Sequence, residues 1–330
     1  AIAALLAKER SDVVRRLVFD ERRTGWSGLY PWHASFPLLT LRLVSSAKQG
    51  GNSSSLFEVA EHAFYGPLYA TGPVVLFRDF RRYRENKLSL SYAARTALAW
   101  MFLELGLRRY PCFAVAASPH LLQKADAATC AGFAIIAVNL LFLKFAVIWR
   151  VATCLARFDG LDPPVENINR FVCNNLTVSG FWRDWHASFH HWLVHHVYLP
   201  LGGRDRPMVA TTAVFCFAVL WHDLSQPKLL AWGTINLVAL LVERFFRGVH
   251  TLALAAAPSS PLLLRIRAST LAATYIFVLV LANVVGYSAG LATLAAFSRH
   301  ISSLSHSSAA FLVLFVNSHL SIRARELSEG

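Results

Sequence analysis

The sequence predicts an all-α polytopic membrane protein, on three observations. Of its 330 residues 55% are hydrophobic and only 15% are charged, whereas soluble domains carry about 25% charged residues. The longest uncharged run, Ala268 to Ser298, is 31 residues long and contains TYIFVLVLANVV. A helix needs about 20 apolar residues to cross a bilayer, so this run is long enough to span with tilt. Third, the residues behind the net charge of +13 sit in short basic clusters, LAKERSDVVRRLVFDERR and FRDFRRYRENK among them, and in pairs between apolar runs. That distribution suits loops facing anionic headgroups. A soluble all-helical protein is the reading these observations disfavour.

Taken in order, Leu29 to Val44 reads as a partial span, and Leu88 to Leu107 as a weaker one interrupted by Arg95 and Glu104. Ala127 to Ile148 is a full span in which Lys144 snorkels to the surface. Met208 to Trp221 and Leu229 to Val242 each fall short of a crossing, with Pro227 between them. They are expected to form one broken element or hairpin that brings His222 to membrane depth. Ala268 to Ser298 and the short Ala309 to Val316 close the chain. No repeat divides the sequence, and residues 1–330 are read as a single integral membrane domain. No cleavable signal peptide is legible at Ala1, and without an initiating Met the true start is expected upstream.

Phe158 to Gly203 differs from the rest. It opens with FDGLDPPVENINRF, too polar to span, and runs into SGFWRDWHASFHHWLVHHVYLPLGG. Trp182, Trp185, Phe189 and Trp192 recur at helical spacing, which predicts one interfacial or re-entrant helix ending at Pro200, Gly202 and Gly203.

Several function classes drop out. The basic residues accompany no zinc finger and no aromatic RNA-binding motif, so no nucleic-acid partner is expected. Cys112, Cys130, Cys154, Cys173 and Cys216 are scattered and form no CxxC pair, and most are expected to be buried small hydrophobes. His186/His190 and His191/His195 have the spacing of helix-borne metal ligands. Ala187, however, stands where an HExxH protease carries glutamate, so no metal centre is expected. For His190, His191, His195 and His196 the expectation is interfacial packing and hydrogen bonding.

His222 is the sharper candidate. An ionisable side chain flanked by FCFAVLW and, shortly after, LLAWG is expensive in a membrane and faces a protein interior or watery cavity. Burial favours its neutral imidazole, a general base for a hydroxyl or amine attacking a thioester. The alternatives at this stage are a structural histidine bonded to a backbone carbonyl and a histidine serving proton-coupled transport.

Three ordered blocks carry a resemblance: YGPLYATGPVVLFRDF (Tyr65 to Phe80), DGLDPPVENINRFVCNNLTVSGFWRDWHASFHHWLVHHVYLPLGG (Asp159 to Gly203) and FAVLWHDLSQPKLLAWG (Phe217 to Gly233). From about Leu41 to Val242 the chain resembles the membrane-bound O-acyltransferases, in the branch of the glycerol uptake proteins and Hedgehog acyltransferase. The resemblance implies a multi-helix bundle with a central tunnel and re-entrant or interfacial helices. It implies transfer of a long-chain fatty acyl group from acyl-CoA, as donor substrate, to a hydroxyl, or to an amine in some members, with no other cofactor and no acyl-cysteine. The family's catalytic core histidine falls on His222, and its upstream partner, His, Asn or Asp among members, falls on His186. Asn175, Trp182, Arg183, Asp184 and Trp185 match the signature and are expected to shape the tunnel or contact the donor. The sequence departs from the branch at His195-His196, where Arg-Tyr is usual, and the amino-terminal helices of the family are expected to be missing.

The partners implied are acyl-CoA, a lipid acceptor and membrane lipids, and the location implied is the endoplasmic reticulum. The acceptor suggested is a lyso-phospholipid or a glycosylphosphatidylinositol anchor under remodelling, and His rather than Asp at 186 leans towards lipid. The alternatives are a protein N- or O-palmitoyltransferase and a proton-coupled glycerol transporter. A transporter calls for paired broken helices in inverted halves, and the break near Pro227 has no counterpart in the sequence.

Overall fold

The structure is a computed structural model that describes residues 32–51, 54–82, 88–222, 227–256, 260–288, 290–291, 297–298, 300 and 304–329. The amino-terminal basic cluster, residues 29–31 of the partial span, residues 83–87 of the second basic cluster and Asp223 lie outside the described residues.

Among the described residues the regular structure is helical, with one isolated antiparallel bridge between Ile168 and Trp185. Three helical stretches, Ala127–Phe158, Pro227–Gly248 and Pro261–Tyr287, are long and apolar enough to cross a membrane. The all-α membrane expectation therefore holds. The contacts divide into two compact units, Ala1–Trp100, Phe145–Asn167 and His186–Gln226 in the first and Met101–Lys144, Ile168–Trp185 and Pro227–Gly330 in the second.

In the first unit, helix Trp32–Gln49 buries Leu38 and Leu41 with Leu76, Phe189, Trp192 and Phe217. Ser55 starts helix Leu56–Phe64 through a reciprocal capping box with Glu58, which satisfies two otherwise orphaned backbone donors. The YGPLYATGPVVL stretch then runs through short turns and is held by side chains from elsewhere in the unit. Buried Arg42 donates to the carbonyls of Ala63, Leu68 and Tyr69. Phe77 N donates to Ser45 Oγ at 2.9 Å, and Val74 N to Ser188 Oγ at 2.8 Å. Trp192 Nε1 donates to the Leu41 carbonyl at 2.9 Å. His62 lies 2.9 Å from the Val75 carbonyl through Nε2 and 2.9 Å from Ser46 Oγ through Nδ1. A carbonyl only accepts, so Nε2 carries the hydrogen and Nδ1 is left to accept from Ser46. The loop after Phe158 is anchored in the same way. Glu166 accepts from Tyr92 at 2.8 Å and from Arg150 at 3.3 Å, and Arg157 donates to Asp162 at 2.7 Å.

In the second unit, helices Pro227–Ala256, Pro261–Asn283 and Leu304–Glu329 are its longest wholly contained elements. The first packs against Pro261–Asn283, which packs in turn against Leu304–Glu329. Each of the first two starts on proline, whose missing N–H costs nothing at a helix start. Buried Glu243 accepts from Ser179 N at 2.9 Å, from Ser179 Oγ at 2.7 Å and from Arg247. At Gly286, in the π-helical turn Val284–Ser288, a Cβ would stand 2.7 Å from Cδ1 of the buried Trp232 ring. Gly286→Ala is therefore expected to cost about 1–3 kcal/mol through overpacking, read as a lowered melting temperature in detergent.

Four sequence expectations are corrected. The segment after Pro227 does not fall short of a crossing: it is a 30-residue helix, Pro227–Ala256. The closing helix is Leu304–Glu329, 26 residues, rather than Ala309 to Val316. Only two of the five free cysteines, Cys112 and Cys130, are buried, and Cys216 is exposed. Finally, Trp182 to Trp192 is not one helix. Val178–Asp184 ends at Trp185, His186 turns into the left-handed region at φ 47° and ψ 48°, and Ala187–Leu193 starts anew. The aromatic period runs across the break: Phe189 and Trp192 are buried in the first unit, whereas Trp182 and Trp185 are half-buried in the second.

Candidate functional site

The break sets the site. His186 is the one described non-glycine residue with positive φ. Such a backbone costs about 1–3 kcal/mol and persists only where the surroundings over-determine it. Here they do. The His186 ring stacks on Trp149 at 4.6 Å and 27°, with Phe189 at 5.3 Å and Trp221 at 6.1 Å. Ala187 N donates to the Asn167 carbonyl at 3.1 Å, and Ser188 N to Asn167 Oδ1 at 2.9 Å.

His222 is the last residue of the apolar helix Pro207–His222. Its ring meets Trp221 edge-on at 4.8 Å, and Trp221 lies 4.4 Å from Phe189. Trp221 is thus bracketed by the two imidazoles. Only 9% of His186 is exposed, and its pKa is pushed from 6.5 down to about 3, first by burial and then by the charge His222 would carry. Near neutral pH His186 is therefore a neutral imidazole in electrostatic reach of His222. That arrangement provides a hydrogen-bond donor and a proton acceptor in one aromatic-walled place.

The remaining sequence candidates belong to the second unit, where each has neighbours of its own. Asn175 Nδ2 donates to the Phe171 carbonyl at 3.1 Å and locks the turn around Val172–Asn174. Trp182 meets Trp232 edge-on at 5.3 Å, and Trp185 lies 4.1 Å from Phe142. Asp184 accepts from Arg170 at 3.3 Å, and Arg183 is exposed. Sequence reasoning overlooked Trp149, Trp221 and Asn167. Trp221 stands beside His222, which was a usable signal, whereas Trp149 and Asn167 are brought in only by tertiary structure.

Of the other histidines of the segment, His195 is hydrogen-bonded, whereas the buried Nε2 atoms of His191 and His196 have no hydrogen-bond partner among the described residues. Arg78 Nη2 donates to His195 Nε2 at 2.8 Å, so His195 carries its hydrogen on Nδ1 and gives it to the His191 carbonyl at 3.0 Å. A guanidinium thus reaches His195 from another segment, beside the position where the branch carries its own arginine. His191 Nε2 lies 3.8 Å from Asp79, and His196 stacks near Trp192 at 4.8 Å. Among the described residues no three His, Cys, Asp or Glu side chains gather as a metal-binding set.

Burial also pushes the His62 pKa down from 6.5, to about 4, with the Val75 bond opposing and Arg42 assisting. His62 and His186 both stay neutral in the fold while the unfolded chain takes up protons below pH 6.5. Stability should therefore fall as pH drops from 6.5 towards 4, with each group contributing up to about 1.4 kcal/mol per pH unit. Thermal unfolding in detergent checks this, and a melting temperature that rises across that interval would contradict it.

Comparison with known proteins places the chain in a family. The family model described as MBOAT, membrane-bound O-acyltransferase family, matches residues 5–285. The chain is 34% identical over 193 residues to the membrane-bound O-acyltransferase GUP2 of Saccharomyces cerevisiae, covering 55% of this chain and 30% of that protein. It is 30% identical over 248 residues to the membrane-bound O-acyltransferase gup1 of Schizosaccharomyces pombe, covering 72% and 40%. It is 29% identical over 230 residues to the protein-cysteine N-palmitoyltransferase HHAT of Mus musculus, covering 64% and 46%. The aligned region is thus less than half of each of these relatives. With the family model matched over residues 5–285 of its 330, the chain belongs to the membrane-bound O-acyltransferase family.

Proposed function

We propose that this chain is the catalytic portion of an acyltransferase that moves a long-chain fatty acyl group from acyl-CoA to a lipid hydroxyl. The observation that carries the reading is the buried, neutral His186 held beside Trp221 and within the electrostatic reach of His222. His222 takes the proton from the acceptor hydroxyl, and the oxygen attacks the thioester carbonyl. The neutral His186 imidazole donates a hydrogen bond to the oxygen on which negative charge develops. The carbon–sulfur bond then breaks, and the CoA thiolate recovers the proton from the His222 imidazolium. Acyl-CoA is a substrate, and no further cofactor enters.

The acceptor proposed is a lyso-phospholipid or a glycosylphosphatidylinositol anchor undergoing remodelling, at the endoplasmic reticulum membrane. A protein amino terminus is the second acceptor class, favoured by the relative named protein-cysteine N-palmitoyltransferase. Purified chain in lipid, supplied with labelled palmitoyl-CoA and a mixed panel of lyso-lipids and peptides, tests both. Label on a lyso-lipid supports the first reading and label on a peptide the second. Glycerol uptake into liposomes without any acyl transfer would overturn both in favour of transport.

A further inference from the structure

We infer that Asn167 is a positioning residue for His186, holding the catalytic turn through its side-chain oxygen; this rests on the role given to His186 above. Helix Ala187–Leu193 receives no cap bond from its own N-cap side chain, His186. The first N–H groups of a helix have no intrahelical acceptor. Here the first two are satisfied from a distance by one residue, Ala187 N on the Asn167 carbonyl at 3.1 Å and Ser188 N on Oδ1 at 2.9 Å. Those two bonds fix the peptide planes directly after His186, and so the direction in which its left-handed backbone aims the ring.

Asn167 is itself held in place. It is 2% exposed and follows Glu166, which Tyr92 and Arg150 anchor. Ser188 extends the linkage, since its Oγ accepts from Val74 N at 2.8 Å. Asn167 Nδ2 is buried without a hydrogen-bond partner among the described residues. A buried unsatisfied donor is costly, and the bonds to the turn are made by the oxygens of this residue alone. It follows that a carboxylate, which offers oxygens only, can replace the carboxamide, and it is favoured at a helix start. An isosteric leucine cannot.

The experiment compares wild type, Asn167→Asp and Asn167→Leu in the full chain. Two readouts are used, steady-state acyl transfer from palmitoyl-CoA and modification of individual histidines by diethylpyrocarbonate, followed by mass spectrometry. His62, 2% exposed and remote in sequence, reports on the integrity of the fold as a whole. Asn167→Leu is expected to lower kcat by about a hundredfold with KM nearly unchanged, the scale on which small misplacements act. It should also speed labelling of His186 by about tenfold or more while His62 stays protected. Asn167→Asp should restore His186 protection and most of kcat. Wild-type kcat and protection in Asn167→Leu would overturn the proposal, as would labelling of His62 and His186 together, which would mean a general structural role. Failure of Asp to rescue would also overturn it. The labelling arm needs no activity, so it still decides the role of Asn167 if wild type transfers no acyl group and the functional reading falls.

Discussion

His222→Gln is expected to lower acyl transfer by about 10²–10⁴-fold, the usual contribution of a positioned general base, with the protein still folded. His222 ends its helix and is partly exposed, so replacing its ring removes no core packing element comparable to Trp192 or Phe217. The loss should fall on kcat, because proton removal belongs to the transition state rather than to donor binding. Glutamine keeps polarity and similar length but accepts no proton near neutral pH, which separates base catalysis from packing. Equal turnover by wild type and His222→Gln would reject the base assignment.

Replacing His186 should separate backbone from chemistry. His186→Asn places a residue that tolerates the left-handed region at the break and retains a hydrogen-bond donor. It is expected to fold like wild type and keep more turnover than other variants, though it cannot fill the stack on Trp149. His186→Val offers no donor, and its β-branched side chain is a genuine outlier at positive φ. Turnover should fall by about 10²–10³-fold for Val, the scale of one lost oxyanion donor, together with a lowered melting temperature. Circular dichroism, thermal unfolding and steady-state kinetics read the two effects apart. Higher turnover in the Val variant than in the Asn variant would contradict the role given to this residue.

The membrane class and the long helices were legible in the sequence because hydrophobicity is a local property, whereas the short ones were not. Ala127 to Ile148 lies inside a longer helix, and Ala268 to Ser298 overlaps a span that begins earlier, at Pro261, despite Arg265 and Arg267. The site was legible in part. His186 and His222 are candidates by motif and by the cost of an ionisable group among apolar neighbours, and both rings lie near Trp221. The break at His186 was not legible, because the aromatic period continues across it and nothing local forbids a helix there. What stops the helix is tertiary: Asn167, nineteen positions earlier, takes the first two N–H groups of the next turn. For the same reason the aromatic wall supplied by Trp149 could not be read from the histidine-rich stretch itself.

One coordinated pair of imidazoles is the central claim, and a double-mutant cycle on kcat/KM at positions 186 and 222 tests it most directly. If the two rings act on one reacting group, His186→Val combined with His222→Gln should lose little more, per folded protein, than the worse single variant, because residues acting as a unit are strongly non-additive. Losses that simply multiply would show two independent sites and contradict the account.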